Sequence, residues 1–123
     1  MRRGMDRNLA LFAVLAVGVV IAGTAALAYR ASPPGGAVVQ VTIMNYSFNP
    51  STLEVRAGAT VRWVNMDMVA HTVSFGTHED PAGIESLLLG HMGSFSYTFS
   101  EAGTHVYHCD PHPYMTGSVT VTP

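Results

Sequence analysis

The sequence predicts an all-β domain, a sandwich of about seven to eight short strands, over residues 38–123. Two patterns predict this class: runs of alternating or β-branched residues recur along the chain, and turn-forming residues separate them. The runs lie at residues 38–44, 53–55, 60–65, 71–75, 94–99, 103–109 and 118–121. The turn residues between them are Asn49-Pro50, Ala57-Gly58, Gly93 and Ala102-Gly103. A chain of 123 residues has room for one such domain and little else.

Residues 77–90 read THEDPAGIESLLLG and lack strand character, so they are predicted to form a loop between the sheets with a short helical turn at Ile84 to Leu89.

In the run TVRWVN, alternation places Val61 and Trp63 on one face. Burying the indole would contribute a few kcal/mol at ~25 cal/mol per Å², so Trp63 is predicted to pack in the core.

Residues 1–30 have the composition of an export or membrane-insertion signal. Arginines at positions 2, 3 and 7 precede a run without charge from Leu9 to Ala28. The length of that run matches the ~20 residues of a helix that spans a bilayer, which favours a retained N-terminal hydrophobic helix. The small-x-small sequence Ala26-Leu27-Ala28 favours a cleaved signal peptide instead.

Both alternatives predict the same location for the domain. The positive flank stays on the cytoplasmic side, so residues 38–123 are expected to be periplasmic or extracytoplasmic. If the N-terminal helix is retained, residues 9–28 anchor the domain to the cytoplasmic membrane. Residues 31–37 contain ASPPGG and are predicted to be a linker, because two prolines and two glycines end any helix.

The charge of the exported part excludes one class of partner. Beyond residue 28 there are three arginines, no lysine and seven acidic residues. A protein with this balance is not expected to bind nucleic acid, and a mildly acidic surface suits a monomer that meets protein partners.

The only cysteine lies in the sequence HCDPHPYM, residues 108–115. An unpaired cysteine in an exported domain is a reactive thiol, half of an intermolecular bridge, or a metal ligand. Cys109, His112 and Met115 follow each other at intervals of three in a turn with two prolines, so thiolate, imidazole and thioether can converge. Together with one further imidazole they would make the ligand set of a type 1 blue copper site, and these soft donors select copper over magnesium or calcium.

The second imidazole must come from elsewhere in the chain. The candidates are His71, His78, His91, His105 and His108. His108 adjoins Cys109 on a strand and should point to the opposite face, and His105 lies ~13 Å back along that strand. His78 and His91 lie in polar loop sequences, whereas His71 opens a predicted strand beside a loop, where a distant ligand can meet the turn.

The segments WVNMDMVAHTV and FSEAGTHVYHCDPHPYMTGSVTV resemble the cupredoxins, and among these the amicyanin-like and plastocyanin-like members. The resemblance implies an eight-stranded Greek-key β-sandwich that binds one type 1 copper per chain. The ligands that it implies are His71, Cys109, His112 and Met115. Family members commonly carry an asparagine after the first histidine, which helps to tie the two ligand loops together; Thr72 stands there, and its role is left open.

The resemblance also implies a function, the transport of single electrons between redox proteins that dock near His112. An apolar patch of Pro113, Tyr114 and Met68 is expected there. The alternative is a periplasmic protein for copper storage or delivery. An enzyme such as a copper oxidase or nitrite reductase would need a second copper, and a binuclear centre would need a second cysteine, so no enzymatic activity is expected.

Overall fold

The structure is a computed structural model that describes residues 36–123. Within this part of the chain it contains nine strands and no helix. The strands are β1 Val38–Met44, β2 Ser47–Asn49, β3 Thr52–Arg56, β4 Thr60–Asn65, β5 Ser74–Gly76, β6 Pro81–Glu85, β7 Ser94–Thr98, β8 Gly103–His108 and β9 Thr116–Thr122. The predicted all-β class is therefore confirmed.

The strands form two sheets. The first sheet has the order β2-β1-β4-β7 and the second β3-β9-β8-β5-β6. Pairing is parallel between β1 and β4 and between β3 and β9, and antiparallel elsewhere. Strands β8 and β9 pair from Gly103 opposite Val121 to His108 opposite Thr116. The connection between these two central strands, residues 109–115, therefore lies at one end of the second sheet.

The core lies between the two sheets, as the alternating patterns predict. Trp63 of β4 is completely buried. Its ring contacts Phe75 of β5 and Tyr107 of β8, with centroid distances of 6.1 and 5.3 Å, so the contacts join one sheet to the other. In β3 the pattern of alternate burial places Leu53 and Val55 in the same core. This packing makes the domain a β-sandwich and confirms the core position of Trp63.

Two local predictions were wrong, and one strand was missed. The helical turn predicted at 84–89 is absent, since Pro81–Glu85 form β6 at the sheet edge. Every residue of β6 is exposed, so no apolar alternation marks it as a strand. Strand β2 was missed because it has three residues, of which only Phe48 is buried. The strand predicted at 71–75 begins at Ser74, and His71 instead forms an isolated bridge with Leu89.

The predicted signal or anchor of residues 1–30, and residues 31–35 of the predicted linker, lie outside the described residues. In the described part of the chain, no helix has the length and apolar character needed to cross a membrane. The division of the chain at residues 30 and 37 stays a prediction.

Candidate metal centre

Three donor atoms converge at the end of the second sheet. The Sγ of Cys109 lies 3.6 Å from Nδ1 of His71 and 3.4 Å from Nδ1 of His112. The two Nδ1 atoms are 3.2 Å apart. Donors that bind one ion at about 2.0–2.3 Å lie roughly 3 to 4 Å from each other, so this group fits a single metal ion. Cys109 and His71 are buried, and His112 is partly exposed.

A closed turn of backbone hydrogen bonds positions two of these residues and Met115. The amide of His112 donates to the carbonyl of Cys109 at 3.2 Å, and the amide of Met115 donates to the carbonyl of His112 at 2.8 Å. The amide of Cys109 donates to the carbonyl of Met115 at 3.0 Å. These bonds place the backbone of Met115 beside that of Cys109. The Met115 side chain is buried. The spacing of three and three therefore brings the backbone of Cys109, His112 and Met115 into one closed turn.

A partly buried carboxylate, that of Asp67, orients His71. The Oδ2 of Asp67 lies 2.8 Å from Nε2 of His71. A hydrogen bond donated by Nε2 to the carboxylate leaves the lone pair on Nδ1, which faces Cys109 and His112. The Asp67 carboxylate also accepts the backbone N–H groups of Asn45 and Tyr46, at 2.8 and 2.9 Å.

These bonds also lower the pKa of Asp67. Burial by itself would raise this pKa, but the hydrogen bonds from the Tyr46 amide, the His71 ring and the Asn45 amide outweigh that effect. Asp67 therefore remains an anion that holds the imidazole in the tautomer required of a metal ligand.

Replacing Asp67 with asparagine is expected to lower copper affinity about 10- to 100-fold, because His71 loses the carboxylate that fixes its ring and tautomer. Affinity is measured by competition with a chelator of known strength. The control is Asp80→Asn, a change of the same size on an exposed loop. Equal affinities in wild type and Asp67→Asn would show that the carboxylate does not position the ring.

The Asp67→Asn variant should also differ from wild type in how its stability depends on pH. Because the folded pKa of Asp67 lies below its unfolded value, the folded state binds fewer protons. The contribution of Asp67 to stability is thus complete above about pH 3.9 and is lost as the pH falls through the folded pKa. Urea unfolding of the metal-free chain should show a smaller loss of stability below pH 4 in Asp67→Asn than in wild type.

Thr72 connects the two loops that carry the donors. Its amide points at Sγ of Cys109, with a nitrogen to sulfur distance of 3.4 Å. Its Oγ1 accepts the N–H of Asp110 at 2.8 Å and lies 3.0 Å from Oγ of Ser74. Thr72 thus ties the two ligand loops together, the role that the resemblance implies for an asparagine at this position. The sequence left this open because the contact joins residues that are 38 positions apart.

Asn65 is a structural residue of the site that the sequence analysis missed. It is completely buried at the end of β4. Its Nδ2 donates to the carbonyls of Val69 and Leu89, at 2.9 and 2.8 Å, and its Oδ1 accepts the amide of Asp67 at 2.9 Å. A polar residue at the end of an apolar strand was the available signal. Asn65 holds the loop that presents Asp67 to His71.

Tyr46, also missed, covers both imidazoles. Its ring contacts the rings of His71 and His112 edge to face, at centroid distances of 5.3 and 5.1 Å. Tyr46 follows β1 with a φ of 56° and is anchored through its amide to Asp67. Nothing in the local sequence indicates this contact, since it depends on the pairing of β1 with β4.

The other four histidines lie outside this group. The Nδ1 of His91 is 3.3 Å from the carbonyl oxygen of Asp67, and the Nε2 of His105 is 3.0 Å from that of Glu101. The Nδ1 of His108 is 2.9 Å from the carbonyl oxygen of Gly76, so His108 has partners away from the Cys109 thiol. His78 lies in the exposed loop before β6.

A β-sandwich with buried cysteine and histidine donors and a methionine at one end is the scaffold of a mononuclear copper protein. The sequence profile of the copper binding proteins of the plastocyanin/azurin family matches residues 36–122, and the chain belongs to that family. Copper is accordingly its cofactor, in agreement with the soft donor set.

Two relatives and one solved structure illustrate the match. The chain is 41% identical to amicyanin of Paracoccus denitrificans over 92 residues, which is 70% of this chain and 66% of that one. It is 34% identical to amicyanin-alpha of Methylorubrum extorquens over 121 residues, covering 94% and 98% of the two chains. A structure of the Cu(I) form of an amicyanin mutant superposes with a TM-score of 0.64 at 35% identity, covering 75% of this chain and 88% of that one. The resemblance to amicyanin and plastocyanin is thereby confirmed.

Proposed function

We propose that this protein carries single electrons between redox proteins outside the cytoplasmic membrane, with one type 1 copper held by His71, Cys109, His112 and Met115. The observation that carries the proposal is the convergence of the Cys109 thiol with two imidazole Nδ1 atoms at 3.2 to 3.6 Å. Bound copper supplies a one-electron couple between Cu(II) and Cu(I) at such a site.

The protein's own part is to keep the donors in place. Cys109 follows β8 directly, His71 is held by Asp67, and the Thr72 amide points at the thiol sulfur. Donors that the sheet and hydrogen bonds hold in place move little when the metal centre gains or loses one electron. A small rearrangement favours fast electron transfer, and burial of Cys109 and His71 keeps water from these two donors.

His112 is the proposed point of electron exchange, because it is the only partly exposed residue among the four proposed ligands. Beside it the exposed Tyr114 ring lies 6.1 Å from the His112 ring, centroid to centroid. The side chains of Tyr114 and Met68 are 71% and 82% exposed. We propose that these residues and Pro113 form the apolar patch where a redox partner docks.

Tyr114→Glu is expected to slow electron self-exchange between the Cu(I) and Cu(II) forms at least about 10-fold, because two added carboxylates would face each other in the encounter complex. Exchange is measured by NMR line broadening in mixtures of the two forms. Val38→Glu is the control, since Val38 is also exposed but begins β1 about 20 Å from the end of that strand nearest the site. Equal slowing by both variants would contradict docking at Tyr114.

The test of the carrier role is voltammetry of the copper-loaded full chain with a Cu(I) chelator present. A carrier gives a reversible one-electron wave and keeps its copper in both states. Loss of copper to the chelator on reduction would favour the alternative function, copper storage or delivery. Nitrite or oxygen consumption by the reduced protein would contradict the proposal that it is not an enzyme.

The proposed location and organisation follow from the sequence. Residues 1–30 would serve as a signal peptide or a membrane anchor, 31–37 as a linker, and 38–123 as a monomeric copper domain on the outer side of the membrane. Fractionation of native cells, with the mass of the chain in each fraction, distinguishes the two N-terminal alternatives. A full-length chain in the cytosol would contradict both.

A further inference from the structure

A second group of metal-binding side chains lies beside the copper centre. It consists of His78, in the loop before β6, and of His108 and Asp110, the two neighbours of Cys109. The Nδ1 of His78 and the Nε2 of His108 are each 3.8 Å from the same oxygen, Oδ1 of Asp110. The three ligand atoms all lie within 4.8 Å of one another.

The buried member of this group has its tautomer set by the fold. The His108 side chain is 3% exposed, and its Nδ1 lies 2.9 Å from the carbonyl oxygen of Gly76. A carbonyl can only accept, so Nδ1 carries the hydrogen and the neutral ring has its lone pair on Nε2. That lone pair faces the Asp110 carboxylate at a distance too long for a hydrogen bond. A histidine held through one nitrogen by a backbone carbonyl, with the other nitrogen toward further donors, is the usual arrangement of a metal ligand.

The loop that carries His78 is also organised. The amide of Thr77 donates to the carbonyl of Asp80 at 3.1 Å, and the amide of Asp80 donates to the carbonyl and to Oγ1 of Thr77, at 3.2 and 3.0 Å. This closed turn keeps the His78 ring beside that of His108, with centroids 6.0 Å apart and planes at 90°. The two rings thus reach the carboxylate from different directions.

We propose that His78 Nδ1, His108 Nε2 and the Asp110 carboxylate form a second metal site for a borderline divalent cation such as Zn²⁺. Two imidazoles and one carboxylate suit Zn²⁺, Cu²⁺ or Ni²⁺ and leave a further coordination position open. Donors around a tetrahedral ion with bonds of about 2.0–2.1 Å lie roughly 3.4 Å apart. The two observed distances of 3.8 Å to Asp110 must therefore shorten by a few tenths of an ångström, and the two ring nitrogens, which lie within 4.8 Å of each other, must also approach. The side chains of His78 and Asp110 are 52% and 59% exposed, so they can move toward the buried ring.

This site shares no ligand with the proposed copper centre and does not rest on the electron-carrier function. Two of its ligands are the residues on either side of Cys109. The sequence predicts that the His108 side chain points away from the thiol, and Asp110 was not among the predicted ligands. The same strand end would thus hold copper through Cys109 and a second cation through its two neighbours.

The test is a zinc titration of the full chain already loaded with one equivalent of Cu²⁺, which outcompetes Zn²⁺ at the first centre. Calorimetry is expected to give one Zn²⁺ per chain. His78→Ala and Asp110→Asn should each weaken this binding at least about 10-fold, as loss of one of three protein ligands requires. The matched controls, Glu79→Gln and His105→Ala, remove a neighbouring carboxylate and an imidazole outside the group and should bind Zn²⁺ as wild type does.

A second measurement identifies the ligands directly. In the diamagnetic Cu(I) form, Zn²⁺ should shift the ring resonances of His78 and His108 and leave those of His91 and His105 unchanged. No zinc binding to the copper-loaded chain, or unchanged binding in both His78→Ala and Asp110→Asn, would overturn the proposal. A loss of the copper absorption during titration would place the zinc at the first centre and overturn it as well.

Discussion

Replacing Cys109 with serine is expected to abolish the intense visible absorption of the Cu(II)-loaded protein. That absorption arises from charge transfer between a cysteine thiolate and copper, and a serine hydroxyl supplies no comparable donor. Copper affinity should fall at least about 100-fold, because loss of a direct ligand exceeds the 10- to 100-fold effect of losing a residue that only supports one. Absorption spectra and chelator competition measure the two effects.

The variant is suited to this test because serine differs from cysteine in one atom and so fits the completely buried position of Cys109. Circular dichroism should show the β-sheet content of wild type. Asp110→Asn is the matched control: it changes the next residue, whose side chain points to the second group of donors, and should keep the absorption. Visible absorption that persists in Cys109→Ser would rule out the thiol as the source of the band.

The local part of the site could be predicted from the sequence, and the part made by strand pairing could not. Cys109, His112 and Met115 are joined by hydrogen bonds within one turn, so their spacing alone implies that they meet. The contacts of Asp67 with Asn45 and Tyr46 span more than 20 residues, and they exist because β1 lies beside β4. No single-sequence pattern encodes that register.

The same division holds for the fold. Strands that bury one face, such as β3 and β4, carry an alternation that the sequence displays. Strand β6 is exposed on both faces at a sheet edge, so burial does not restrict its residue types to an alternating apolar pattern. Its Gly83 has a φ of 81°, which favours glycine and further obscures the strand pattern. Strand position was therefore predictable only where burial constrains the residue type.

Trp63→Ala is expected to lower the free energy of unfolding by about 3 to 5 kcal/mol, the usual cost of removing a large aromatic side chain from a core. The indole joins the two sheets, with aromatic contacts to Phe75, Phe99 and Tyr107. For a domain whose total stability is of order 5 to 15 kcal/mol, this loss is large, and the melting temperature should fall by at least about 12 °C. Urea unfolding of the metal-free full chain measures it, since bound copper would add its own stabilisation.

Trp63→Phe separates packing from hydrogen bonding at this position. Burial raises the pKa of Tyr107 to about 12, and the nearby Trp63 indole N–H offsets this only in part. Neither the indole N–H nor the Tyr107 hydroxyl has a hydrogen bond of ordinary geometry, so phenylalanine removes a polar group that contributes little. It also keeps a ring between the sheets, and its cost should be less than half that of alanine. Equal costs for the two variants would mean that the indole N–H, rather than the packed ring, stabilises the core.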